Sequence, residues 1–241
     1  MILLAALALA AAPHSHPAHK PVAPKPVAHA RATTDWSRVT AVTPAGGYVM
    51  GNPAAKVKLI EYGSLTCPHC RHFDEEGVTP LVANYVRGGK VSYEFRSFLL
   101  NGIDIPATLA AGCGGPGSFF PMLRALYAAQ PQWIAKIQAI PAARMKQIQA
   151  MAPGKQFEAI GLAAGFPAIA AAHGIPAARA TACLNNQPLA EQLAKATDDA
   201  TNRLKVEGTP TFFVNGATVD YSKGPTVWGP VEARLAAALR G

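Results

Sequence analysis

Two cysteines separated by a proline and a histidine, Cys67-Pro68-His69-Cys70, fall where an apolar run ends and a helical pattern begins. Upstream, Val57 to Tyr62 reads as a short strand ended by Gly63, and its imperfect alternation suits burial on both faces. Downstream, Phe73, Val78, Leu81, Val82, Tyr85 and Val86 supply the inner face of a helix running from Cys67 to about Val86, with Gly88 and Gly89 as its stop. Val91 to Leu99 then alternates like a strand. Strand, helix and strand in this order predict a βαβ unit with the cysteine pair at its first junction.

That junction sets the chemistry. The first N–H groups of a helix have no partner within it, and together with the helix dipole they stabilise a thiolate. Cys67 is therefore the expected attacking thiol. Pro68 suits the first turn, where a missing N–H costs nothing, and His69 can add a donor or a positive charge beside the Cys67 sulfur. A stabilised thiolate leaves easily, so a Cys67–Cys70 disulfide here is readily reduced and hence oxidising. Cys70, one turn into the helix, is the more buried resolving thiol. Covalent haem attachment needs histidine after the second cysteine, and Arg71 stands there. Structural zinc needs four ligands; His69 and His72 are present, but no second C-x-x-C or H-x-x-x-H pair accompanies them.

The rest of the chain frames this unit. Tyr48 to Met50 reads as a strand; residues 31–47, with Trp36 and Val39, receive no assignment. From about 105 to 190 come alanine-rich helical pieces punctuated by Gly and Pro: Phe119 to Gln130, Trp133 to Ala139, Ala142 to Met151, Lys155 to Ala164 and Ala177 to Leu184. A helix over Leu189 to Val206 follows. Thr211 to Val214 and Thr218 to Tyr221 then flank Asn215-Gly216, a hairpin turn signal, and Val231 to Arg240 forms a last helix. Residues 2–12 are an uncharged apolar run too short to span a bilayer; they read as an export signal cut after Ala10 or Ala12, although no Lys or Arg precedes it. Residues 13–30 interleave Pro13, Pro17, Pro21, Pro24 and Pro26 with His14, His16, His19 and His29 and read as an extended linker.

A chain of 241 residues, 50% hydrophobic, can build a packed core, so its 4 cysteines need not substitute for one, and disorder throughout is excluded. The net charge of +8 comes from basic residues scattered singly, without an aromatic-interleaved stripe or a helix-turn-helix or finger spacing. It reads as a solvated surface, with no nucleic-acid partner. Cys113 and Cys183 bracket most of the helical region. In an oxidising compartment such a pair reads as a structural disulfide, with regulation of Cys67 as the alternative use.

Gly208-Thr209-Pro210-Thr211 precedes the apolar strand Phe212-Phe213-Val214, and proline in a sheet is confined to edges and strand starts. A cis Thr209–Pro210 bond would hold the Thr209 backbone out for an extended substrate; an ordinary trans turn fits the tetrapeptide equally. Three segments together carry a resemblance: Tyr48-Val49-Met50-Gly51-Asn52-Pro53, Glu61-Tyr62-Gly63-Ser64-Leu65-Thr66-Cys67-Pro68-His69-Cys70, and Gly208-Thr209-Pro210-Thr211-Phe212-Phe213-Val214-Asn215-Gly216. Over about residues 35–240 the chain resembles the DsbA-like thiol:disulfide oxidoreductases of the bacterial periplasm. The resemblance implies a thioredoxin fold with an inserted all-helical domain, Cys67 attacking, Cys70 as its partner, His69 stabilising the thiolate and Pro210 as a cis-proline facing the disulfide. It also makes Glu61 a buried acid that assists proton movement around Cys70. Thr209 before the proline is shared with isomerase and reductase relatives.

The expected organisation is thus a signal peptide (1–12), a disordered linker (13–34), the first part of a thioredoxin-like domain (35–104), a helical insertion (105–188) and the second part (189–241). The expected activity is introduction of disulfides into reduced or misfolded secreted proteins, without a cofactor and with a quinone-linked membrane protein as the reoxidant that the resemblance implies. A disulfide isomerase or reductase kept reduced in the periplasm is the alternative. A copper-binding or chaperone protein using the same cysteines is the alternative of another class.

Overall fold

The computed structural model describes residues 34–241 except 223 and 225. The expected export signal and residues 13–33 of the expected linker, with its four histidines, lie outside the described residues. Strands β1 (Thr40–Val42), β2 (Tyr48–Gly51), β3 (Val57–Gly63), β4 (Val91–Ser97), β5 (Thr211–Val214) and β6 (Ala217–Thr218) form a six-stranded sheet in the order β1-β2-β4-β3-β5-β6. The expected βαβ unit is present, since β3 pairs parallel with β4 from Val57↔Val91 to Gly63↔Ser97. On its other edge β3 pairs antiparallel with β5, setting Glu61 opposite Phe212. Val57 and Leu59 are fully buried, on the face of β3 that also carries Glu61, while Lys58 and Ile60 on the opposite face are only half-buried.

The helix after Cys67 runs without a break but is not uniform. It begins as α1 (Pro68–Phe73), widens to a π-wound turn (Asp74–Val78), tightens over α2 (Thr79–Leu81) and widens again (Val82–Val86). Pro80 gives the physical reason for the first widening: it lacks the N–H that would bond Glu76, and its ring crowds that carbonyl in an α-turn. Among the described residues after Ser97, nine further segments are helical: α3 (Asp104–Gly112), α4 (Pro116–Ala128), α5 (Gln130–Gln138), α6 (Ala142–Gln149), α7 (Pro153–Ala164), α8 (Phe166–Ala172), α9 (Ala177–Cys183), α10 (Gln187–Leu204) and α11 (Trp228–Arg240). Prolines open α4, α5, α7, α8 and α10, so residues that punctuate the sequence start helices here.

Sequence periodicity missed α3 and α8. Most of α3 is buried, leaving no amphipathic stripe to detect, and it contains Pro106; α8 is one short piece begun by Pro167. The region before β2, left unassigned, holds a short 3-10 turn (Trp36–Arg38) and the edge strand β1. The hairpin turn is as expected, with Asn215 and Gly216 at φ 49° and 83°. Its second strand is shorter than Thr218 to Tyr221 and ends at Thr218, because Tyr221 turns back to the Pro210 carbonyl.

Buried side chains of the helices join those of the sheet in one core: Phe73, Leu81, Phe212 and Val231 on one side meet Phe119, Met122, Leu126 and Phe166 from the segment between β4 and β5. Residues 34–241 therefore behave as one compact unit. Cys113, just past α3, and Cys183, in the last turn of α9, form a disulfide with Cα atoms 5.7 Å apart, closing 70 residues of sequence. No helix among the described residues is long and apolar enough to cross a membrane.

Candidate active site

Cys67 is the N-cap of α1, with extended dihedrals (φ −80°, ψ 122°), and Pro68 follows in the first turn. The strand ends at Gly63, and a turn closed by Cys67 N–H donating to the Ser64 carbonyl (3.2 Å) brings the sulfur over the helix start. Cys67 is 4% exposed and Cys70 fully buried; both are free thiols. The Cys67 thiol lies 3.3 Å from the Thr209 carbonyl, and the Thr209–Pro210 bond is cis. Sites 142 residues apart in sequence thus meet at the carboxyl end of the central strand.

The two thiols are electrostatically unlike. Donation from the Cys70 side chain, against the cost of burial, holds Cys67 down at about 5; the Thr209 hydroxyl and the backbone N–H groups of Cys70 and His69 add to the effect. Burial drives Cys70 well above the ordinary thiol range, and its donation to Cys67 and the nearby Glu61 and Cys67 charges push the same way. One helix turn therefore carries a thiolate at its N-terminal end and a protonated thiol beneath it at neutral pH. His69 is exposed and contributes its N–H to the sulfur; its ring centroid lies 6.3 Å from that of His72.

Glu61 sits under this pair, 1% exposed. Desolvation raises it to about 8, opposed by the Tyr93 hydroxyl, which donates to Oε2 at 2.5 Å, while Oε1 is buried without a partner. Such a carboxyl is protonated at neutral pH and can give a proton to a neighbouring sulfur.

Several positioning groups were not legible as site residues. Buried Asp104, at the start of α3, accepts from Ser64 Oγ (2.8 Å) and Thr66 N–H (3.0 Å) through Oδ1, and from Leu100 N–H (2.9 Å) through Oδ2. Gln130 Nε2 donates to the carbonyls of Leu65 (2.8 Å) and Cys67 (3.0 Å), and Tyr127 Oη to that of Ser64 (3.1 Å). The helical segment thereby clamps the loop that presents Cys67. Polar residues inside otherwise apolar, buried helical stretches were the available signal. Tyr221 Oη donates to the Pro210 carbonyl (2.5 Å), bracing the cis-proline loop. Among the described residues no group of three His, Cys, Asp or Glu is placed to hold a metal.

The thioredoxin family model matches residues 43–229. A protein-disulfide oxidoreductase of Rickettsia felis is 28% identical over 188 residues, covering 72% of this chain and 55% of the relative, so the chain spans just over half that protein's length. The crystal structure of a protein-disulfide isomerase from Novosphingobium aromaticivorans is 34% identical, with a TM-score of 0.71, covering 80% of this chain and 97% of that one. Wolbachia pipientis α-DsbA1, at 20% identity, shares the fold with a TM-score of 0.63 over 82% of this chain and 92% of its own. Sheet topology, the thiol pair at the end of the central strand and the extent of the family match lead to one conclusion: the chain belongs to the thioredoxin family and has the DsbA-like form of its fold.

Proposed function

We propose that the protein is an exported thiol:disulfide oxidoreductase that introduces disulfides into reduced or misfolded secreted proteins. The observation that carries this reading is the split between the two thiols, Cys67 held at about 5 and Cys70 driven well above the ordinary range. A substrate thiolate attacks Cys67 Sγ of the oxidised pair, forming a mixed disulfide and expelling Cys70. A second substrate thiolate then attacks the substrate sulfur of that mixed disulfide and expels Cys67, a good leaving group because its thiolate is stabilised. The substrate loses two electrons and two protons; both electrons and one proton pass to the enzyme, leaving a Cys67 thiolate and a Cys70 thiol, and the other proton goes to water.

Each site residue has a role in this sequence. Pro68 shapes the first turn, His69 stabilises the thiolate, and Glu61 hands a proton to Cys70. Thr209 and Pro210 hold a backbone edge beside the sulfur on which an extended substrate can pair. The chemistry needs no soluble cofactor. It takes place in the periplasm, and a quinone-linked membrane protein reoxidises the pair.

One observation favours a second reading, a disulfide isomerase or reductase kept reduced. The Novosphingobium neighbour is named an isomerase, and a Cys67 thiolate can equally attack a substrate disulfide. Equilibration of Cys67–Cys70 against glutathione separates the two: an oxidising pair supports the first reading, a reducing pair the second. Cys67→Ser should abolish oxidation of reduced peptides, and full activity of that variant would overturn both.

A further inference from the structure

A groove of about 520 Å³ lies on the face of the sheet opposite Glu61. Side chains alternate along a strand, so Tyr62 points away from Glu61, and with Arg96 near the end of β4 it floors this groove. Helix α10 forms one wall through Leu193 and Leu204, and Pro44, in the turn between β1 and β2, stands on the other side. Leu204 is 48% exposed, so apolar surface remains open along that wall.

Polar groups at the floor are held in place without being used up. Arg96 donates through Nε and Nη2 to the two Glu94 oxygens (2.8 and 3.1 Å) and through Nη1 to Tyr62 Oη (2.8 Å). A guanidinium has five N–H groups, so two remain for an acceptor in the groove. Tyr62 Oη accepts from Arg96 and keeps its own proton to donate. Glu94, which also accepts from Thr43 Oγ1 (2.6 Å), fixes the plane of the guanidinium and cancels its charge. The surplus charge comes from α10, where Lys195, Asp199 and Arg203 follow one another at helical spacing along the groove, all exposed. Neither Lys195 nor Arg203 forms an ion pair among the described residues. An apolar wall, oriented donors and a positive rim together complement a carboxylate beside an apolar side chain.

The groove is also within reach of the reacting sulfur. Tyr62 stands five residues before Cys67, and Leu204 five before Thr209. At 3.8 Å per Cα step, the members of each pair are at most about 19 Å apart. An extended peptide covers that span with about six residues. We infer that the groove is a substrate subsite, taking an aspartate or glutamate with an apolar neighbour within about six residues of the substrate cysteine that attacks Cys67. The inference rests on the thiol exchange proposed above and names its substrate class, reduced proteins with an acidic and apolar segment near a cysteine. The carboxylate accepts from Arg96 and Tyr62, the Lys195 and Arg203 charges draw it in, and its apolar neighbour lies against Leu193 and Leu204.

The test uses the full-length oxidised protein and reduced two-cysteine peptides carrying Leu-Glu at spacings from about two to about eight residues from the first cysteine, with Leu-Gln counterparts. Rapid acid quench and thiol alkylation give the second-order rate constant for loss of the Cys67–Cys70 disulfide. A hydrogen bond to a charged group is worth about tenfold or more, so at one or two adjacent spacings Leu-Glu should react about tenfold faster than Leu-Gln. Lys195→Glu combined with Arg203→Glu should abolish that preference. Lys136→Glu combined with Lys155→Glu, the same change of charge on α5 and α7, should keep it, and urea midpoints near the parent value report an intact fold in both proteins. Acetyl-Leu-Glu-amide, which has no thiol, should bring the Leu-Glu rates down to the Leu-Gln rates. A Leu-Glu advantage absent at every spacing, or lost equally in both double variants, would overturn the subsite. So would an advantage independent of spacing, the mark of charge attraction alone, or a failure of acetyl-Leu-Glu-amide to compete. The oxidoreductase reading is judged separately on the Leu-Gln peptides: their oxidation, and its loss in Cys67→Ser, would uphold it whatever becomes of the subsite.

Discussion

Replacing Cys70 by alanine removes the donor that does most to hold the Cys67 thiolate, and Cys67 should then titrate higher. The starting point is about 5 against an ordinary 9.0. A hydrogen bond to a charged acceptor is worth about 1.5–3 kcal/mol, which at 1.36 kcal/mol per unit is about one to two units. Cys70→Ala is therefore expected to place Cys67 between about 6 and 7, with Thr209 and the N–H groups of His69 and residue 70 keeping the remainder. Thiolate absorbance against pH, checked by the pH dependence of iodoacetamide alkylation, reads the value directly. The same shift appears in stability. A thiol depressed in the folded state contributes fully above its unfolded value of 9.0, and loses that contribution as pH falls through about 5. At about pH 7 this amounts to about 3 kcal/mol in the reduced wild type and about 1 kcal/mol in the variant, so urea unfolding of the variant should flatten across mildly acidic pH. A Cys70→Ala protein whose Cys67 still titrates at about 5 would refute the reasoning and leave the helix N-terminus as the dominant cause.

Gln130→Ala strips the donor from two buried carbonyls of the Cys67 loop; it should lower stability by about 1–3 kcal/mol in urea unfolding, and an unchanged midpoint would show the clamp to be dispensable. Replacing Cys113 and Cys183 together by serine opens a closure of 70 residues, for which the chain-entropy account expects a loss of about 4 kcal/mol. The exchange rate at Cys67 should stay as in the parent; a changed rate with unchanged stability would instead point to regulation through that disulfide.

Much of the fold is legible because it rests on local rules. An apolar run ended by glycine, a cysteine-proline helix start and an alternating run predict the parallel β3–β4 pair, and Asn215-Gly216 predicts its hairpin turn from backbone preference alone. Helices with a polar face are readable, whereas α3 is not, because burial on nearly all sides erases the periodicity on which such reading depends. Pro80 likewise reads as a helix breaker until the π-wound turn before it accommodates the missing bond.

At the candidate site the division follows the range of the forces. A helix N-terminus acts on its own first residues, so the sequence by itself determined that a thiol at position 67 faces unpaired N–H groups. Desolvation and long-range hydrogen bonds depend on what lies across space, so only the tertiary structure decided how far Cys67 and Cys70 separate in acidity, that Glu61 rests on Tyr93, and that Asp104, Gln130 and Tyr221 hold the loops around the sulfur.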